Sequence, residues 1–223
     1  MRALPLLLVL LATGCGEATP PTRSQQYSFT IDCGIPDLCE SAADPGQRFV
    51  FRWPAASLPV RVWVQPRGEL REAVGRAVGV WEQSMLYGEL DLVMVSDSAG
   101  ADAIVRLQDA DTFTPTGTDM LDCAGSTKFF IDADSATGVP LLTLPFRTDI
   151  VPRLGARDDE VRGCLLAVAV HEIGHVIGLL LHSPEPADVM FGRPRTVDLS
   201  VADRATVAQL YHTPPTVGLP PGR

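Results

Sequence analysis

Two histidines and a glutamate define the chemistry this chain could do. They lie in the run His171-Glu172-Ile173-Gly174-His175-Val176-Ile177-Gly178, with His182 and Met190 downstream. Histidines four residues apart on a helix stand one turn above each other, so both imidazoles can face one metal ion. Glu172 falls beside the first of them, placed to hold a water at that metal as a general base. Gly178 is suited to a left-handed conformation that ends the helix and swings the chain round to deliver a third ligand. The chemistry implied is zinc-assisted hydrolysis with one catalytic Zn2+. A His-Glu-x-x-His run also occurs by chance on buried helices, but chance does not account for the glycine, the later histidine and the methionine together.

These residues resemble the metzincin zinc proteases, whose pattern is His-Glu-x-x-His-x-x-Gly-x-x-His followed by a methionine-containing turn. At the third-histidine position this chain has Leu181, and the histidine follows one residue later as His182. Leucine cannot ligate zinc, so either the turn after Gly178 carries an extra residue or the ligand lies elsewhere, with Glu185 or Asp188 as the carboxylate candidates. The stretch Ser183-Pro184-Glu185-Pro186-Ala187-Asp188-Val189-Met190 is similar to the matrixin subgroup, in which His-Ser leads through a proline loop to an Ala-x-Met turn. That alignment favours His182 as third ligand and implies Met190 as a packing floor beneath the ligands. It implies a protein or peptide substrate lying extended along an edge strand near Phe129 to Ile131, with Phe191 to Arg195 as a pocket wall. Two matrixin features are missing: only His212 remains for a second, histidine-rich zinc site, and Phe191 stands where some relatives carry a tyrosine ligand.

With 223 residues, 46% of them hydrophobic, the chain can bury one substantial core. The net charge of −9 argues against a nucleic-acid partner. No internal apolar run would span a membrane. Residues 1–14 have the layout of a signal peptide: Arg2, a leucine-rich stretch from Leu4 to Leu11, then Ala12-Thr13-Gly14-Cys15. Small residues leading to a cysteine resemble a bacterial lipobox, which implies export and an envelope lipoprotein lipidated at Cys15; an ordinary signal peptide and secretion is the alternative. Residues 15–46 then read as a tether and short pro-like segment, 47–212 as the catalytic domain, and 213–223, with four prolines, as a disordered tail. The protein is expected to be a monomer that touches a membrane only through its lipid.

Export implies an oxidising compartment, so Cys33, Cys39, Cys123 and Cys164 are disulfide candidates. Local pairing of Cys33 with Cys39 leaves Cys123 with Cys164, two helical turns before His171, where a bridge would brace the active-site helix. Cys33-Gly34-Ile35-Pro36-Asp37 is also similar to the matrixin propeptide segment whose cysteine occupies the fourth zinc position, which would make Cys33 a switch. An inactive zinc-binding lipoprotein and a protease plugged in cis by Cys33 are the competing readings of the whole chain.

The elements that must position these residues read as α+β, a twisted mixed sheet packed on helices. Leu58 to Gln65 alternates as a first strand, and Glu69 to Tyr87 has helical spacing up to Gly88. Leu90 to Val95, Ala103 to Leu107 and Lys128 to Ile131 read as further strands. Asp158 or Asp159 caps the active-site helix, and the Met-turn leads to a last helix from Ser200, with Asp203 as its capping partner, to about Tyr211. The acidic stretches Asp109 to Asp122 and Asp132 to Asp134 could bind Ca2+ through oxygens, although their spacing fits no defined calcium loop.

Overall fold

The computed structural model describes residues 26–32, 48–108, 124–151 and 158–223. Its strands are β1 (Ile31–Asp32), β2 (Arg48–Phe49), β3 (Val60–Val64), β4 (Leu92–Val95), β5 (Ala103–Leu107), β6 (Ala124–Ala133) and β7 (Pro140–Val151). Its helices are α1 (Gly68–Glu82), α2 (Asp158–Val176) and α3 (Val201–Tyr211). Among the described residues the main sheet has the order β4-β3-β5-β7-β6, parallel except for β6, which pairs antiparallel with β7 at the edge. The expected α+β class with a mixed sheet is what the chain forms.

Period-two alternation makes β3: Val60, Val62 and Val64 face the core while Arg61 and Trp63 face partly outward. Helix α1 buries Leu70, Ala73, Val74, Ala77, Val78 and Trp81 along one stripe. It stops at Glu82, short of the expected Tyr87, because Trp81 is the last of its buried positions and Ser84 Oγ bonds the Trp81 carbonyl at 2.6 Å. Gly88 takes φ 69° in the loop beyond, where Leu86 and Tyr87 are exposed. Helix α2 has no polar face over its second half: every residue from Leu165 to Leu180 is buried. It lies between α1 and the core face of the β6–β7 hairpin, a position that demands apolar residues all round.

Three parts of the chain depart from expectation. Strand β7 is absent from the sequence reading because Pro140 and Pro145 argue against a central strand, yet Leu142, Phe146, Thr148 and Ile150 all face inward from it. Residues 26–32, assigned to the tether, are packed: Tyr27 and Ile31 are buried, and β1 pairs with β2. The Tyr27, Phe29, Ile31 alternation is the signal for this that composition obscured. The proline-rich segment 213–223 is not a free tail. Thr216 bonds Val50 through both its backbone N–H and its side-chain oxygen, each at 2.9 Å. Val217 is buried, and Gly218 bridges to β7 through Pro140 and Leu142. Prolines favour the extended backbone that such docking uses.

The segment ends with Arg223 on Asp102, a carboxylate 1% exposed that also accepts the Arg61 backbone N–H at 2.7 Å, and with its guanidinium over the Trp53 ring. Removing that carboxylate leaves a buried N–H and two guanidinium groups without their acceptor. Asp102→Ala should therefore lower unfolding stability by about 2 kcal/mol, measurable as a lower urea midpoint at unchanged slope. An unchanged midpoint would show that the carboxylate adds nothing to the fold.

Candidate active site

The C-terminal end of α2 is built by a glycine. Gly178 has φ 113°, and a Cβ there would collide with the Phe51 carbonyl. Its N–H reaches His175 O at 3.0 Å, and Leu179 N–H reaches Gly174 O at 3.0 Å, the paired bonds of a Schellman ending. Two aromatic side chains satisfy the next carbonyls: Trp53 Nε1–H donates to Val176 O at 2.8 Å, and the Tyr211 hydroxyl to Ile177 O at 3.0 Å. The chain then turns back through Leu180 and Leu181, and Leu181 packs against the core. It is His182, not Leu181, that comes beside the helical histidines.

The three rings converge. His171 and His175 centroids are 4.8 Å apart, and His182 lies 5.1 Å from each. Their ligand-capable nitrogens all fall within 4.8 Å of one another, and this is the one such group among the described residues. His171 Nδ1 is 2.8 Å from Val189 O, and His175 Nδ1 is 2.7 Å from Leu179 O. A carbonyl only accepts, so both Nδ1 atoms carry the proton and both Nε2 atoms keep a free lone pair. Those two Nε2 atoms sit 3.1 Å apart, lone pair toward lone pair, an arrangement that only a cation relieves. The ligand separation around a tetrahedral zinc is about 3.3 Å for zinc–nitrogen bonds of about 2.0–2.1 Å, so the donor set fits that ion.

A proton is a poor substitute for the metal. Burial drives His171 down to about 4, and burial drives His175 well below the ordinary imidazole range, with His171 and His182 adding to the effect. His182, more exposed, is lowered by burial as well. Glu172 moves the other way: it is 2% exposed, and burial pushes it up to about 7 against the pull of a hydrogen bond from Thr127.

Met190 is fully buried, its thioether against Gly174 in the turn between the two helical histidines, where a Cβ would collide with it. The Met-turn hangs on Asp203, a buried residue of α3. Its carboxylate accepts Val189 N–H at 2.9 Å and Met190 N–H at 3.4 Å, closes the capping box with Ser200, and takes the Tyr27 hydroxyl at 2.9 Å. Tyr27 is raised by burial and by that carboxylate. The sequence showed Asp203 only as a cap. Neither alternative ligand joins the histidines: Asp188 accepts the Ser183 hydroxyl, and Glu185 is exposed. His212 is also apart, 3.7 Å from Glu89.

Strand β6 forms the edge beside α2, longer at both ends than the expected Lys128 to Ile131. Asp132 and Asp134 serve the hairpin: Asp132 accepts Thr143 Oγ1, and Asp134 Oδ1 caps the turn at Ala136 and Thr137. Cys164 lies on α2. Its expected partner Cys123 lies outside the described residues, as do Cys15, Cys33, Cys39 and the acidic stretch Asp109 to Asp122.

A family model described as Matrixin, of the M10 peptidases, matches residues 63–212. Among curated proteins, Metalloendoproteinase 1-MMP of Arabidopsis thaliana is 44% identical over 72 residues, a stretch covering 28% of this chain. The match spans 20% of that relative's length.

The buried site predicts how the metal-free protein responds to acid. An unfolded imidazole titrates near 6.5, so below that pH the unfolded chain binds protons on these rings that the folded chain refuses, and stability falls. Glu172 opposes this, since between about 7 and its unfolded value the folded state holds a proton the unfolded chain has released. Two strongly lowered histidines outweigh one raised glutamate. The metal-free protein should lose stability from pH 6.5 to pH 4.5, by about 1.4 kcal/mol per pH unit for each net proton taken up on unfolding. Urea midpoints across that range measure it, and a midpoint that rises on acidification contradicts the assignment.

Proposed function

Because the chain belongs to the matrixin peptidase family, we propose that it is a zinc-dependent endopeptidase in which His171, His175 and His182 hold the metal and Glu172 is the general base. The observation that carries this reading is the pair of Nε2 lone pairs 3.1 Å apart, with both Nδ1–H groups committed to carbonyls and a third imidazole alongside. Zinc at such a site would supply Lewis acidity, lowering the pKa of bound water toward about 7 and polarising a carbonyl oxygen.

The protein's own groups do the rest. The Val189 and Leu179 carbonyls fix ring orientation and tautomer, so the nitrogens need no reorganisation when the ion enters. Glu172 takes a proton from the attacking water on its carboxylate and passes it to the departing amine. A group that must act first as base and then as acid works best with a pKa near the working pH. Burial lifts Glu172 to about 7, and a cation beside it draws it back down. Among the described residues β6 is the last strand of the sheet, and its outer edge would offer main-chain donors and acceptors to an extended peptide, which favours a polypeptide substrate over a small ester or amide.

Glu172→Ala should keep stoichiometric zinc and the fold while hydrolysis of a casein or peptide substrate falls by about 10²- to 10⁴-fold. A zinc-loaded variant as active as the parent would sink the mechanism. His182→Ala should release zinc at chelator concentrations the parent withstands, with Glu185→Ala as the unaffected control.

We infer further, from Arg2, the Leu4–Leu11 stretch and Ala12-Thr13-Gly14-Cys15, that the protein is exported and anchored in a bacterial envelope by lipid at Cys15. In a bacterial host the protein should enter the detergent phase, and Cys15→Ser should move it to the aqueous phase. Partitioning that survives the substitution ends that reading.

A further inference from the structure

Two threonines of the sheet reach the glutamate of the site. Thr127 on β6 and Thr148 on β7 are cross-strand partners, and their hydroxyl oxygens are 2.8 Å apart. Thr127 Oγ1–H also donates to Glu172 Oε2 at 2.6 Å. A threonine hydroxyl has a single proton, and that of Thr127 is given to the carboxylate, so Thr148 must be the donor in the threonine pair. The donors therefore run one way, from Thr148 to Thr127 to Glu172. Thr148 is 1% exposed and Glu172 2%, so bulk water does not compete for these bonds. The other carboxylate oxygen, Oε1, fills the space at Gly125, where a Cβ would collide with it and with Val168. The hydroxyl of Thr127 and the bare Cα of Gly125, two residues apart on one face of β6, thus form a cradle for one carboxylate.

We propose that Thr127, backed by Thr148 and given room by Gly125, is the positioning residue of Glu172. It fixes the plane and direction of the carboxylate that the reaction uses. The proposal rests on the peptidase reading above and adds to it a residue whose hydroxyl acts through Glu172. Without the hydroxyl, the glutamate keeps its burial but loses the bond that selects one orientation. Since the main chain of β6 is unaltered, substrate docking on the edge strand is unaltered too. The loss should fall on turnover, where misplacement of a catalytic group by about 1 Å can cost about a hundredfold.

Thr127→Val, nearly the same shape without the hydroxyl, should lower kcat by roughly 10- to 100-fold. KM should stay within about twofold, with zinc content and Tm close to the parent. Thr127→Ser, which restores the donor, should recover most of the turnover. A second readout needs no metal: the 13C-carboxyl resonance of Glu172 in the metal-free protein, identified by its absence in Glu172→Gln, should shift in Thr127→Val and return in Thr127→Ser. Should Thr127→Val fail to fold, Thr148→Val carries the same test, with a loss of about 2- to 5-fold and a smaller shift in the same resonance. An unchanged kcat or an unmoved resonance in the valine variant overturns the proposal, as does a loss that serine does not restore. A parent protein without peptidase activity whose Glu172 resonance still responds to Thr127 defeats the peptidase reading and leaves the cradle standing.

Discussion

The carbonyls at the end of α2 must find donors where water is excluded, and the rest of the site follows from how they do. A helix that ends inside a protein leaves its last four carbonyls unpaired, each costly to bury without a partner. Here Gly174 and His175 are served by the left-handed ending at Gly178, and Val176 and Ile177 by Trp53 and Tyr211. The ending holds only because Gly178 lacks a Cβ and can press against Phe51. The same turn aims the Leu179 carbonyl at His175 and sends the chain back with His182 on the metal side. Backbone satisfaction and ligand geometry are thus one problem with one solution.

Burial then sets the electrostatics. Three imidazoles kept neutral and one carboxyl held near neutrality are what a desolvated pocket does to these side chains without further devices. The polar contacts that remain are few and directional: two carbonyls on two histidines, one threonine hydroxyl on the glutamate, and the Asp203 carboxylate under the Met-turn. Asp203 also receives Tyr27, so the segment before β1 is fastened to the same carboxylate that holds the floor of the site.

Much of this was legible in the sequence, and the reasons differ by element. Helix α1 and strand β3 declare themselves by periodicity, because each has one buried face. Helix α3 declares itself by its capping box, where Ser200 and Asp203 bond as their spacing requires. Helix α2 shows no such periodicity, its second half being buried all round, and only its histidine and glycine spacing identified it. Strand β7 was hidden by its prolines, and residues 26–32 and 213–223 by a composition that reads as tether and tail. Docking of those segments depends on single long-range bonds, such as Thr216 to Val50, that no local pattern announces. Thr127 and Thr148 were invisible for the same reason. They matter only because hairpin register sets them opposite each other and beneath Glu172.

Gly174 and Met190 occupy what is in effect a single volume, the thioether filling the space a side chain on the helix would need. Neither position is free to vary alone. A larger residue at 174 requires a smaller one at 190 and a shift of the Trp81 ring that also borders the space, while a smaller residue at 190 opens a void beneath the histidines as long as 174 stays glycine. Substitutions at the two positions will not be additive. In divergent descendants of this chain the pair should change together or not at all, a constraint on inheritance written by one methionine and one missing methyl group.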